Sequence, residues 1–261
     1  MEKEITKKKI DYKRLLQAIL DICEEMVVAG AEVSRAENSV ERMCESYGGT
    51  RANAFITMSN IQVTFESPEG EIITQIRRVV RYEADFDKLD YLNDLSRYIC
   101  ANNPDVDEIR QRFDQVMGRK KLSPLMQFLG AILTASGFTV FFGGGWEDAL
   151  AAAIMGFFIG AIKHFMGGKE KNEIVYCFVV SLVGGVIAVL CVAAGIGVNL
   201  DKIMIGGIML LIPGIALTNA IRDMLIGDTT SGLLRLVNSL LVAAAVACGF
   251  ALAIITLGGM L

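Results

Sequence analysis

Two patterns of apolar and polar positions divide this chain near residue 121. Before that point apolar side chains recur with the period of a helix or a strand. Tyr12, Leu15, Leu16, Ile19, Ile22, Cys23, Met26 and Val27 mark one amphipathic helix ending near Gly30. Val33, Ala36, Val40, Met43, Cys44 and Tyr47 mark a second, stopped by Gly48-Gly49. The period then becomes two: Ile61, Val63 and Phe65 alternate with Gln62, Thr64 and Glu66, as in a half-buried strand. Residues 53–58 and 71–80 read as its neighbours, with turns at Ser59-Asn60 and Pro68-Glu69-Gly70. Asp87 is the expected N-cap of a helix carrying Leu89, Leu92, Leu95 and Ile99, and Asn103-Pro104 the expected start of another. Helices, then strands, then helices predict an α+β domain over residues 1–121.

From Leu122 onward the apolar residues run almost without interruption. A membrane span needs about 20 of them, and five stretches qualify: 122–142, 149–165, 174–195, 203–221 and 233–257. The fold class expected is therefore an α-helical membrane protein with five transmembrane helices over residues 122–261, preceded by a small α+β cytoplasmic domain. Ala152, Gly156 and Gly160 give the second span a face of small residues that lets another helix approach closely. Gly184-Gly185 and Gly206-Gly207 offer similar surfaces.

The fourth span carries the strongest candidate for chemistry. Met209–Asp223 begins as apolar sequence, breaks at Pro213-Gly214 and resumes with Thr218, Asn219, Arg222 and Asp223. Proline lacks an N–H and crowds the preceding turn, and a backbone group freed in hydrocarbon needs a protein or water-filled cavity to satisfy it. Carriers build solute sites from helices interrupted in this way. Pro213 and Gly214 are thus expected to open the helix, and Thr218 and Asn219 to bond a small solute. A carboxylate at membrane depth can take up a proton, which makes Asp223 the candidate for proton coupling. The alternatives are a kink that serves only packing, and Asp223 and Arg222 that merely cap the helix at the headgroup layer.

Charge orients the chain. Residues 1–121 hold 19 of its 25 Lys+Arg and 22 of its 29 Asp+Glu, so the membrane half is nearly bare of charge. Arg119, Lys120 and Lys121, then Lys163, Lys169 and Lys171, then Arg222 and Arg235 fall on one side of the expected spans. Glu147, Asp148 and Lys202 fall on the other. The positive-inside rule then places the N-terminus in the cytoplasm and the C-terminus outside. The first residues lack the apolar core of a signal peptide, so the first span is expected to direct insertion. A net charge of −4 with no basic run argues against nucleic acid as a partner. The six cysteines form no Cys-x-x-Cys pair and sit in apolar patterns, as buried thiols rather than a metal site. His164 is the one histidine and lies at a span end, so no Ser-His-Asp triad is available to Ser34. In Gly30-Ala31-Glu32 with Arg35 and Glu37, the plain expectation is that Arg35 pairs with Glu32 or Glu37 on a solvated helix face. No cofactor and no metal are expected, and no enzymatic activity is favoured.

With these residues assembled, the chain resembles the threonine/serine exporter family, in its split form made of two membrane proteins. Gly30, Ala31, Glu32, Arg35 and Glu37 resemble the family's signature in the soluble domain. Gly144–Asp148 resembles a loop of the split subunits, and Leu210–Asp223 with Gly227 and Gly232 resembles the fourth-span motif. Arg222 stands where the family more usually has a small residue, and is assigned no role. The resemblance implies a bacterial inner-membrane exporter driven by the proton motive force. It would export threonine and serine or a short dicarboxylate such as succinate, with a second, smaller multi-span subunit as partner and membrane lipid around both. A membrane-tethered enzyme, or a regulatory subunit whose soluble domain carries the activity, is the alternative.

Overall fold

The computed structural model describes residues 10–120, 123–166 and 172–260. Expectations resting on residues 1–9, Lys121, Leu122, Lys169 and Lys171 lie outside the described residues. The chain divides into two compact units, Met1–Lys120 with Thr218–Arg235, and Lys121–Leu217 with Leu236–Leu261.

In the first unit, α1 (Tyr12–Val28) and α2 (Val33–Ser46) precede a three-stranded antiparallel sheet in the order β1-β2-β3. The strands are β1 (Arg51–Ile56), β2 (Asn60–Glu66) and β3 (Ile72–Arg78). Val63 lies opposite Ala54 on one side and Gln75 on the other. This register sends Ile61, Val63 and Phe65 into a core shared with Leu16, Ile19, Met26, Val40 and Met43. Two helices follow, α3 (Phe86–Asn102) and α4 (Val106–Met117).

Two helix starts differ from the expected ones. Asp85, not Asp87, caps α3 by accepting the Lys88 N–H at 3.0 Å, which leaves Asp87 in the first turn facing the helix dipole. Asp105 caps α4 by accepting the Glu108 N–H, while Asn103 ends α3 in the left-handed region at φ 45°. A short side chain that bonds locally tolerates that conformation.

In the second unit, α5 (Pro124–Phe141), α6 (Trp146–Met166) and α7 (Glu173–Ala193) each run 18 residues or more. The last helix, α10 (Thr229–Leu257), starts in the first unit and contributes residues 236–257 here. Among the described residues, these four helices are long and apolar enough to cross a membrane, and the protein is a multi-pass membrane protein. The fourth expected span is not one helix. Residues 203–221 fall in α8 (Leu200–Ile208) and α9 (Gly214–Leu225), separated by Met209–Pro213. At about 1.5 Å per residue neither piece reaches the roughly 30 Å of hydrocarbon alone.

Small residues set the helix crossings of this unit. A Cβ on Gly206 of α8 would lie 2.4 Å from the Ala135 carbonyl oxygen of α5. Gly156 of α6 meets the Ala131 carbonyl in the same way, at 2.8 Å. Cys177 and Cys191 are buried, as expected of thiols on apolar faces, whereas Cys100 is half-buried and Cys248 is exposed on α10. Cys248 is apolar sequence on an outward face, which periodicity cannot separate from an inward one in a helix that is apolar all round.

Candidate functional site

The turn after α1 shows why the sequence reads Gly-Ala-Glu there. Gly30 adopts φ +98°, its N–H bonds the Val27 carbonyl, and the Ala31 N–H bonds the Met26 carbonyl at 2.9 Å. This pair of bonds is the Schellman ending, which needs a left-handed residue and hence glycine. Ala31 is left buried, and Glu32 stands at the N-cap of α2 without using its side chain as a cap.

The Glu32 carboxylate is used elsewhere. Its Oε1 pairs with Arg222 Nη1 at 2.8 Å. The expected pairing with Arg35 is not formed: Arg35 is exposed, and Glu37 instead accepts the Ile56 N–H at 2.9 Å through Oε1. Arg222 therefore does more than cap its own helix.

Residues 218–235 complete the same unit. The end of α9 repeats the turn chemistry of α1: the Asp228 N–H bonds the Asp223 carbonyl and the Gly227 N–H bonds that of Met224. The chain then enters α10, where Gly232 lets the two helices close up. A Cβ on Gly232 would lie 2.7 Å from the Ala220 carbonyl oxygen and 2.6 Å from Met224 Cγ. Two further side chains of α10 reach the first unit's backbone. Ser231 Oγ donates to the Ile56 carbonyl at 3.1 Å, and Arg235 Nη2 donates to the Ala31 carbonyl at 3.1 Å.

Between these anchors lies a buried ion pair. Asp223 is 0 % exposed and Arg235 2 %, with Arg235 Nε 3.6 Å from Asp223 Oδ2. Neither carboxylate oxygen of Asp223 accepts a hydrogen bond among the described residues. The charges are matched but the contact is loose. A buried charge is sustained only when it is paired, so the guanidinium is what lets Asp223 be ionised in this place.

Glu37 belongs to the same neighbourhood. Burial pushes its carboxyl up to about 6, opposed by the bond from the Ile56 N–H and reinforced by the charges of Asp228, Glu41 and Asp223. Sequence spacing had singled out Glu32, Glu37 and Asp223, but Arg235 served there only as an orientation marker and Ser231 and Asp228 had no site role. The available signal was Arg235 itself, a lone charge between Leu234 and Leu236 on an apolar helix.

The remaining expected residues flank the interruption. Pro213 is half-buried and Gly214 exposed at the start of α9, and the Leu217 N–H takes the Pro213 carbonyl at 3.0 Å. Thr218 is exposed, in line with Arg222 one turn on, and Asn219 is half-buried, in line with Asp223. Pro213 and Gly214 fall in the second unit; Thr218, Asn219 and Asp223 fall in the first. Among the described residues no group of three or more His, Cys, Asp or Glu is placed to hold a metal ion.

Residues 17–257 match the family described as "Putative threonine/serine exporter". A "Probable threonine/serine exporter" of Mycobacterium tuberculosis (strain ATCC 25618 / H37Rv) is 24 % identical over 243 residues, covering 91 % of this chain and 45 % of that protein. The chain thus spans about half the length of the curated relative it matches. No solved structure matches it. A match over residues 17–257 takes in both the Gly30–Glu37 motif and the Pro213–Asp223 stretch, and the chain belongs to the threonine/serine exporter family.

Proposed function

We propose that this chain is a subunit of an inner-membrane exporter, driven by the proton motive force. Its solutes would be small and polar: threonine and serine, or a short dicarboxylate such as succinate. It works with a second, smaller multi-span subunit. The N-terminal domain faces the cytoplasm, and α8 and α9 together make the fourth of five crossings, so that the C-terminus lies outside. Membership of an exporter family argues for transport rather than catalysis.

The observation that carries this reading is the interruption at Met209–Pro213, followed on α9 by Thr218, Asn219 and a fully buried Asp223. In the proposed cycle the broken helix leaves backbone groups for the solute. Thr218 and Asn219 supply side-chain hydrogen bonds, and Asp223 takes and releases the proton that drives export. An ionisable group this far from water is expensive to keep, and its usual justification in a membrane protein is a proton or solute path.

Solute release from preloaded cells expressing the chain and its neighbouring subunit tests the assignment. Asp223→Asn should reduce export at least tenfold, and Asn219→Ala should do so to a lesser degree. Export unchanged in both variants would remove these residues from the site.

A further inference from the structure

The sheet of the first unit has two unlike faces. Ile61, Val63 and Phe65 point into the core. Phe55 on β1, Gln62 on β2 and Ile76 on β3 lie side by side in the register and share the opposite face. An antiparallel sheet with one solvated face ordinarily carries polar side chains there. Here Phe55 is 58 % exposed, Ile76 63 % and, just past the strand, Val80 78 %. Arg78 is exposed beside them, opposite Asn60. Its neighbours Arg77 and Arg81 are engaged by Asp21 and Glu25. Glu66 is the one carboxylate on this face of the three strands, and it lies at the far end, opposite Arg51. The corner is thus apolar and cationic, in a domain with more acids than bases.

The place of this corner in the unit says what meets it. Ile56, next to Phe55 and last in β1, accepts a hydrogen bond from Ser231 of α10. The same end of the sheet is closed by the Val79 N–H on the Ser59 carbonyl at 3.0 Å. Outward leucines begin on α10 at Leu233 and Leu234, both half-exposed, and continue with Leu240 and Leu241. From Ser231 to Leu233 the helix rises only about 3 Å. The apolar corner of the sheet and the lipid-facing surface of α10 therefore start at one level of the unit.

We propose that Phe55, Ile76 and Val80 insert into the headgroup layer of the bilayer that α10 crosses, with Arg78 on the phosphates of anionic lipids. An exposed apolar patch of this kind marks a surface meant to be covered. A lipid layer asks for no matching shape, only shallow apolar burial and a cation to meet its negative surface. The long Arg78 side chain can bury its stem among the apolar groups and keep its guanidinium at the phosphates. The sheet then becomes a second hold on the membrane beside the spans, fixing the first unit against the bilayer. Such a contact requires that α10 crosses the membrane and is indifferent to the solute.

Lipid-borne quenchers test this in the full-length chain, with its own cysteines replaced and one of Phe55→Cys, Ile76→Cys or Val80→Cys carrying an environment-sensitive fluorophore. The protein is reconstituted in vesicles of phosphatidylcholine, alone or with phosphatidylglycerol, containing lipids with a nitroxide near the headgroup. Labels at the three positions should be quenched at least threefold more than one at Glu69→Cys, in the β2–β3 turn. Phosphatidylglycerol should deepen that quenching, and Arg78→Gln should remove the gain. Quenching no greater than at Glu69→Cys would overturn the proposal. So would labels that report an apolar setting yet escape the lipid quencher, because a protein partner or a second copy would then cover the corner. Should the labelled variants not fold, hydrogen exchange in the wild-type chain decides. Its amides from Val80 to Tyr82 should exchange at least threefold more slowly in anionic vesicles than in neutral ones, and equal rates would overturn the proposal. A label at Leu240→Cys that escapes quenching would instead place α10 outside the bilayer and remove the membrane reading, and this contact with it.

Discussion

Glu37 shows how one side chain records its surroundings. It reaches the Ile56 N–H on the open edge of β1, while Glu41, one turn along α2, reaches the Ala54 N–H at 3.5 Å. Two carboxylates thus cover donors that an edge strand would otherwise leave unpaired. Burial first, and then crowding by Asp228, Glu41 and Asp223, raises Glu37 to about 6 from an ordinary 4.5. A carboxyl whose pKa is raised on folding binds more protons folded than unfolded between those two values. Its contribution to stability is therefore complete below pH 4.5 and lost as pH rises through 6. Since Glu37 is only half-buried, solvent screening holds the effect to under about 1 kcal/mol. Glu37→Gln, which fixes the neutral form and keeps an oxygen for Ile56, should raise the melting temperature slightly at pH 7.5 and leave it unchanged at pH 4.5. A variant that melts lower than wild type at pH 7.5 would show that the charge is needed there. Glu32 follows a different logic. Its partner Arg222 is 190 positions away, so no local spacing could assign it, and the short-range pairing with Arg35 was the natural but mistaken expectation.

Among the elements, those with a clear period were legible. The alternation of Ile61, Val63 and Phe65 places β2, and the 3.6-residue spacing places α1 and α2, because one buried face per element leaves a direct imprint on sequence. The ends were less legible. Asp85-Phe86-Asp87 offers two acids for one cap, and spacing alone does not choose between them. The start of α10 at Thr229 is hidden for another reason: Thr229, Thr230 and Ser231 are polar, so the apolar run begins only at Leu233. Asp148 illustrates a third case. It is expected in the loop before the second span, but it lies in the first turn of α6, and the loop reading is silent about its work. Its carboxylate accepts from Gly145 N, Val198 N, Asn199 N and Asn199 Nδ2, all at 2.8–2.9 Å, and so ties the start of α6 to the turn before α8. Asp148→Ala removes all four bonds and leaves several donors unserved, which costs about 3 kcal/mol. Thermal unfolding of the detergent-solubilised protein should register this as a clear drop in melting temperature. An unchanged transition would mean that water replaces the carboxylate at no cost.

For the molecule as a whole, apolar content identified the membrane half, and four of its helices have the length to cross. The proline at 213 marked the interrupted element, although α8 already ends at Ile208, five residues earlier. What the sequence could not convey is that Thr218–Arg235 packs with residues of the first unit. The Gly30–Glu37 motif and the part of the fourth-span motif from Thr218 onward are consequently in one compact unit. That follows from Arg222, Ser231 and Arg235 each finding acceptors in residues 31–56, partners that only the folded chain brings together. The account stands on the claim that the interrupted element borders a water-filled passage. Single cysteines placed in turn at positions 209–223 of a cysteine-free background, and treated in membranes with a membrane-impermeant thiol reagent, test it most directly. The account predicts labelling along the stripe that includes 215 and 219, slowed by threonine, serine or succinate, with the opposite stripe unreactive. Uniform protection across the whole segment, with no effect of any solute, would contradict it.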